Sequence, residues 1–181
     1  QRPYMQMPFQ FSLHIQYEPF GELKHFEWLG DHRHDPRREI AEKMIEWIPE
    51  QGTIIAYNQS FEMNCIKELA RFNTELSNKL LAFNERFIDL ITPFRGGHYY
   101  HPKFKGSFSI KKVLPALCPN DSSLNYDSLN IKNGREASLA YKKFNELLDE
   151  EIETYRNDLF AYCKVDTLAM VRIFEQLIKT N

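Results

Sequence analysis

The run Thr53-Ile54-Ile55-Ala56-Tyr57, set off by Gly52, is short, apolar along its length and free of charge. Such a run marks a strand covered on both faces, which places it centrally in a sheet packed between helices. Two earlier stretches are of a different kind. Residues 9–17 (FQFSLHIQY) and 22–29 (ELKHFEWL) alternate apolar and polar side chains, the period of half-buried strands, and Pro19-Phe20-Gly21 supplies a hairpin turn between them. Asp35-Pro36 then opens a helix, with Asp as cap and Pro in the first turn. Its inward face carries Ile40, Met44, Ile45, Trp47 and Ile48, and Gly52 closes it. Helical patterns follow at 60–72, 74–84, 109–117, 135–147 and 151–179. The order predicts an α/β class, a mixed sheet flanked by helices, in a single domain over residues 1–181.

At 181 residues the chain is long enough to bury a proper core. Its charges nearly cancel, leaving a net charge of -2, so no global field draws it to nucleic acid or an anionic membrane. No apolar run approaches the length of a membrane span, and no signal peptide is visible. Cys65, Cys118 and Cys163 form no CxxC or Cys/His cluster. Cys65 and Cys163 fall on apolar helix faces, which predicts reduced core thiols and a cytoplasmic protein. The chain opens with Gln1-Arg2-Pro3 rather than an initiator Met, which predicts a piece excised from a longer protein.

Two features suggest chemistry. The first lies in the longest helical segment, where Ile152, Tyr155, Leu159, Cys163, Met170, Ile173 or Phe174, and Leu177 make an apolar stripe. Asp166 takes a place in that stripe where Leu is expected, and a carboxylate facing a core is costly unless something cationic meets it. Tyr162 lies one turn earlier on the same face. The pair reads as a metal-binding carboxylate beside a hydroxyl able to hold a water; alternatively, Asp166 caps a second helix and Tyr162 is core. The second feature is the strand-to-helix junction Tyr57-Asn58-Gln59-Ser60-Phe61-Glu62, since functional groups collect at the carboxyl ends of strands in α/β sheets. Glu62 in a first helical turn also complements the helix dipole, and Asn58 or Ser60 is a fair cap. Two carboxylates from separate helices at one sheet edge suit a shared magnesium or manganese ion, with substrate phosphates completing the shell.

These residues resemble motifs of the DnaQ-like DEDD 3'-5' exonuclease superfamily. Asn58-Gln59-Ser60-Phe61-Glu62 resembles its N-x-x-F-D motif, and Tyr162-Cys163-Lys164-Val165-Asp166 its Y-x-x-x-D motif. Ile88-Asp89-Leu90 looks like a helix start between them, and Ser109-Ile110-Lys111-Lys112-Val113-Leu114 like the S-L-K-x-L helix. More narrowly, Pro8-Phe9-Gln10-Phe11-Ser12-Leu13-His14, Ala56-Tyr57-Asn58, residues 106–115 and Tyr162-Cys163 resemble a bacterial domain family of unknown function. Its members often follow a RecB-type nuclease domain in one polypeptide.

The resemblance implies a ribonuclease H-like fold and two magnesium or manganese ions held by four carboxylates, acting on a nucleic-acid 3' end. It makes Glu62 and Asp166 metal ligands and Tyr162 the residue that orients the attacking water. Glu62 stands where Asp is usual, and the family's opening D-x-E motif is absent before Phe9. The expectation is therefore a fragment that lacks the fold's first, central strand and two of four ligands, and that is catalytically inactive. Loss of a central strand exposes edges and apolar surface, which predicts a homodimer of the fragment. The alternative is a non-catalytic nucleic-acid-binding or protein-interaction module on the same fold.

A final clue is electrostatic. Residues 90–120 contain no acid, while Arg95, Lys103, Lys105, Lys111 and Lys112 supply positive charge between Tyr99, Tyr100, Phe104 and Phe108. Basic groups with aromatics suit single-stranded nucleic acid, and Asn58 joins this set at the strand end. A solvated loop with core aromatics would show the same composition. Asp31-His32-Arg33-His34-Asp35 reads as a loop leading to a cap rather than a metal site, and His98 and His101 are no better placed as ligands.

Overall fold

The computed structural model describes residues 7–179, so the internal-looking start at Gln1-Arg2-Pro3 lies outside the described residues. The two alternating stretches form an antiparallel hairpin, β1 (Gln10–Gln16) and β2 (Leu23–Leu29), in a register that sets Phe11 opposite Trp28 and Ser12 opposite Glu27. The apolar run becomes β3 (Ile54–Ala56), which pairs in parallel with β4 (Phe87–Asp89). The predicted mixed sheet is thus two separate two-stranded sheets among the described residues, one antiparallel and one parallel. The overall class is α/β.

The helices are α1 (Arg37–Trp47), α2 (Ser60–Phe72), α3 (Ser77–Asn84), α4 (Thr92–Arg95), α5 (Ile110–Leu117), α6 (Gly134–Lys143) and α7 (Asp149–Lys179). At the start of α1 the Asp35 carboxylate accepts the Arg37 N–H at 3.0 Å, as an N-terminal Asp should. The helix ends at Trp47, well before Gly52, because Pro49 forces Ile48 into extended backbone at ψ 120°. Ile88-Asp89 is strand rather than the start of a helix.

Side-chain parity sorts the layers. On one face Phe11, Trp28, Ile54 and Phe87 share a core with Ile40 and Ala41 of α1, Ile66 and Leu69 of α2, and Leu80 and Phe83 of α3. On the other face Ile55 and Tyr57 join a second core built from α5 and α7, centred on Val113, Ala169 and Ile173. Leu29 and Phe9 join a third with α6 and α7. Residues of both sheets therefore enter the core of α1–α3, and α7 packs against the opposite side, since successive strand residues point to opposite faces.

The polar face of β1 is not its solvent face but the face against α7. The Gln10 side chain donates to the Leu159 carbonyl at 2.8 Å, and Gln16 donates to Glu175 at 3.0 Å. Between them Ser12 Oγ and His14 Nδ1 both meet Thr167 Oγ1, at 2.9 and 2.8 Å. The even-numbered side chains of β1 pair with α7 along the whole strand.

Candidate functional site

Helix α7 runs without interruption through Asp166, so this residue caps no second helix. Its Oδ1 accepts the Tyr126 hydroxyl at 2.6 Å, and Tyr162, one turn earlier, also hydrogen-bonds the carboxylate. Tyr126 sits in a short 3-10 turn (Tyr126–Ser128), is buried, and has the ammonium of Lys111 5.4 Å from its ring centre. The Lys111 ammonium also donates to the Lys132 carbonyl. Burial raises the Asp166 carboxyl above its ordinary value, against the two phenols and Lys111, which favour the charged form. Burial and the Asp166 charge likewise push both phenols well above the usual tyrosine range, so Tyr126 and Tyr162 stay protonated donors.

Glu62 occupies the first turn of α2. Its Oε2 is buried and has no hydrogen-bond partner. Burial first, then the charges of Asp89 and Asp166, push this carboxyl up to about 7. The three acids therefore share one electrostatic neighbourhood, although no group of three or more His, Cys, Asp or Glu side chains converges to metal-binding geometry among the described residues.

Asp89, the last residue of β4, does a different job. Its Oδ1 accepts the Asn58 N–H at 2.7 Å and the Ile91 N–H at 3.1 Å, and its Oδ2 accepts the Gln59 N–H at 3.0 Å. Asn58 takes a left-handed backbone, φ 64°, a conformation Asn tolerates better than most residues. Together they form the turn that swings the chain from β3 into α2 and delivers Glu62. Asn58 is thus first a conformational residue, and it also lines an open cleft of about 400 Å³ with Tyr57, Arg95, Phe108 and Ser109. The Tyr57 hydroxyl closes one wall by donating to the Phe108 carbonyl at 2.5 Å.

The predicted residues therefore separate. Tyr162 and Asp166 come together with Tyr126, while Glu62 and Lys111 are linked to Asp166 through its charge. Asn58 and Arg95 line the neighbouring cleft, while Lys103, Lys105 and Lys112 are exposed and contribute no charge to Asp166. Asp31 and Asp35 are ion-paired to Arg33 and Arg37, as a loop and cap should be. Sequence reasoning missed Asp89 and Tyr126 as site residues. Asp89 carried a signal, an acid ending an apolar pair; Tyr126 lies in a turn without periodicity and carried none.

The Domain of unknown function (DUF2779) family model matches residues 1–109, more than half of the chain. The chain belongs to this family. Among curated proteins it is similar to the uncharacterized protein UU173 of Ureaplasma parvum, 34% identical over 140 residues, which cover 69% of this chain and 20% of the relative. It is also similar to the uncharacterized MG366 homolog of Mycoplasma pneumoniae, 32% identical over 146 residues, 75% of this chain and 22% of that protein. The chain thus spans about a fifth of the length of these relatives. No solved structure matches it, and among the described residues no helix is long and apolar enough to cross a membrane.

Proposed function

We propose that this DUF2779 domain is a metal-dependent 3'-5' exonuclease-like domain on a ribonuclease H-like fold, with Glu62 and Asp166 as metal ligands. One observation carries the reading: a buried carboxylate oxygen of Glu62 without a partner, within the electrostatic reach of a second carboxylate, Asp166, on the core helix α7. A lone buried carboxylate is strongly disfavoured; it takes up a proton, pairs with a cation or coordinates a metal, and this reading takes the last. Magnesium or manganese suits an all-oxygen donor set, and when bound supplies activation of water and stabilisation of the departing oxygen. Tyr162, one turn from Asp166 on α7, would orient that water. Arg95, with Asn58 on the cleft wall, would neutralise a phosphate of a single strand entering by its 3' end.

The fold reading is supported by an antiparallel pair and a parallel pair that contribute to one core with α1–α3 and lie opposite α7. The two sheets are then halves of one mixed sheet. A RecB-type nuclease domain in the same parent polypeptide is the partner this reading implies. The lack of a convergent ligand triad among the described residues favours the second reading, a non-catalytic module on the same fold.

The test is a manganese titration followed by thermal melting of this chain and of Asp166→Ala. The metal reading expects millimolar manganese to raise the wild-type melting temperature by a few degrees and leave the variant unmoved. Unchanged melting for both would leave the non-catalytic reading.

A further inference from the structure

The acid-free stretch that follows the cleft is not the solvated loop its composition allows. It is a rigid, core-anchored turn that presents one tyrosine and several cations. Phe94 and Phe104 are fully buried and meet edge-to-face, ring centres 5.6 Å apart. Tyr99 packs edge-on against Phe94 at 5.7 Å and is half-buried. Backbone bonds fix the path between them: Tyr99 N–H to Pro93 O at 3.1 Å, Phe104 N–H to His101 O at 2.9 Å, and Ser107 N–H to Phe104 O at 3.0 Å. Lys105 is held in the left-handed region at φ 50°, uncommon for a lysine, followed by Gly106 at 76°.

Of the four interleaved aromatics, the structure spends Tyr99 and Phe104 on the core and Phe108 on the cleft wall. Tyr100 alone is turned out, 70% exposed, its ring braced edge-on by Phe104 at 6.4 Å. Its ring is therefore left largely to solvent beside a filled aromatic core. Arg95, Lys103 and Lys105 surround it in sequence, all exposed and none in an ion pair among the described residues.

We propose that Tyr100 is a stacking platform for an unpaired base of single-stranded nucleic acid, with Lys103, Lys105 and Arg95 taking the flanking phosphates. Every base has a π-face, so such a platform is tolerant of sequence; duplex, whose bases are already stacked, is a poor ligand. The surface deepens the nucleic-acid part of the reading above but needs neither a metal nor Asp166.

Fluorescence anisotropy tests it, with labelled oligothymidylate and oligouridylate of about 20 nucleotides and a matched duplex, from about 50 to about 200 mM salt. Wild type is expected to bind one or both single strands better than duplex. Tyr100→Ala should weaken binding about tenfold with an unchanged salt slope, and Tyr100→Phe should restore it to within about twofold. The pair Lys103→Glu and Lys105→Glu should weaken binding and flatten the salt slope. Unaltered binding by Tyr100→Ala, absence of binding by wild type at low salt, or equal affinity for duplex would each overturn the proposal. A chain that binds strands but ignores manganese sinks the metal site alone, and one that responds to manganese but binds no strand sinks the platform alone.

Discussion

Two polar patches lie against α7, and they are built in opposite ways. On β1, Gln10, Ser12, His14 and Gln16 each find a partner on the helix. Thr167 is the hub: its hydroxyl can donate back to the carbonyl of Cys163 or Lys164, each at 3.2 Å, and hydrogen-bonds both Ser12 Oγ and His14 Nδ1. Ser12 in turn meets His25 Nε2 at 2.9 Å, and the two histidine rings stack at 4.4 Å. Every capacity of the Thr167 hydroxyl is used. At the neighbouring centre Glu62 keeps a buried oxygen with no partner and faces two further acids. Satisfied polar groups in an interior fix architecture; unsatisfied ones of like charge are candidates for binding something else. One residue, Asp166 beside Thr167, separates the two regimes.

The comparison breaks most visibly through the sign of a mutation. Glu62→Gln removes a charge that the metal-free protein holds at a loss, so it should stabilise the chain at pH 8. The gain should be on the order of 3 kcal/mol, the free energy of a carboxyl moved from about 4.5 to about 7. The same variant should lose the manganese-dependent rise in melting temperature. Destabilisation by Glu62→Gln, measured by urea unfolding, would place the carboxylate among the satisfied groups. Thr167→Val is the opposite case: similar in volume, it strands Ser12 and His14 and should cost about 2 kcal/mol.

The two patches also predict opposed pH slopes. Glu62 takes up its proton near 7 in the folded chain and near 4.5 unfolded, so its contribution to stability is lost as pH rises from 4.5 to 7. Burial, then the charges of His25, Lys164 and Arg172, holds His14 down at about 4 against 6.5 unfolded. The unfolded chain therefore binds that proton first, and stability is lost as pH falls from 6.5 to 4. His25, which Glu27 partly compensates, is shifted the same way. Unfolding measured across this range should show Glu62→Gln steepening the acid-side loss and His14→Gln flattening it. Variants whose profiles run parallel to wild type would remove the distinction between the patches.

What the residues revealed in advance follows the same division. The apolar period of α7 and the alternation of β1 and β2 are long enough to read, and they yielded the helix, the hairpin and Asp166 as an anomaly. β4 has three residues, too few for any period, so Asp89 passed as a helix start and the parallel pair went unseen. The alternation of β1 was read correctly, but alternation does not say which face meets solvent. A run of Gln, Ser, His and Gln looks exposed until Thr167 and Glu175 are set opposite it. Tyr126 reaches Asp166 across 40 positions from a turn with no pattern at all, and only the fold brings it there.

The smallest expected effect concerns Asn58, which the sequence placed with the nucleic-acid-binding residues and the structure places at φ 64° on the clamp of Asp89. A conformational role predicts that Asn58→Gly is neutral within about 0.5 kcal/mol, because glycine enters the left-handed region freely. Asn58→Ala should cost about 1 kcal/mol, because alanine keeps the Cβ and lacks the short polar side chain by which Asn tolerates that region. Both substitutions delete the same amide from the cleft wall. If oligonucleotide binding falls equally in the two variants while stability falls only in alanine, the side chain serves the cleft and the backbone serves the turn. If binding follows stability instead, Asn58 acts on the site only by aiming α2 and Glu62.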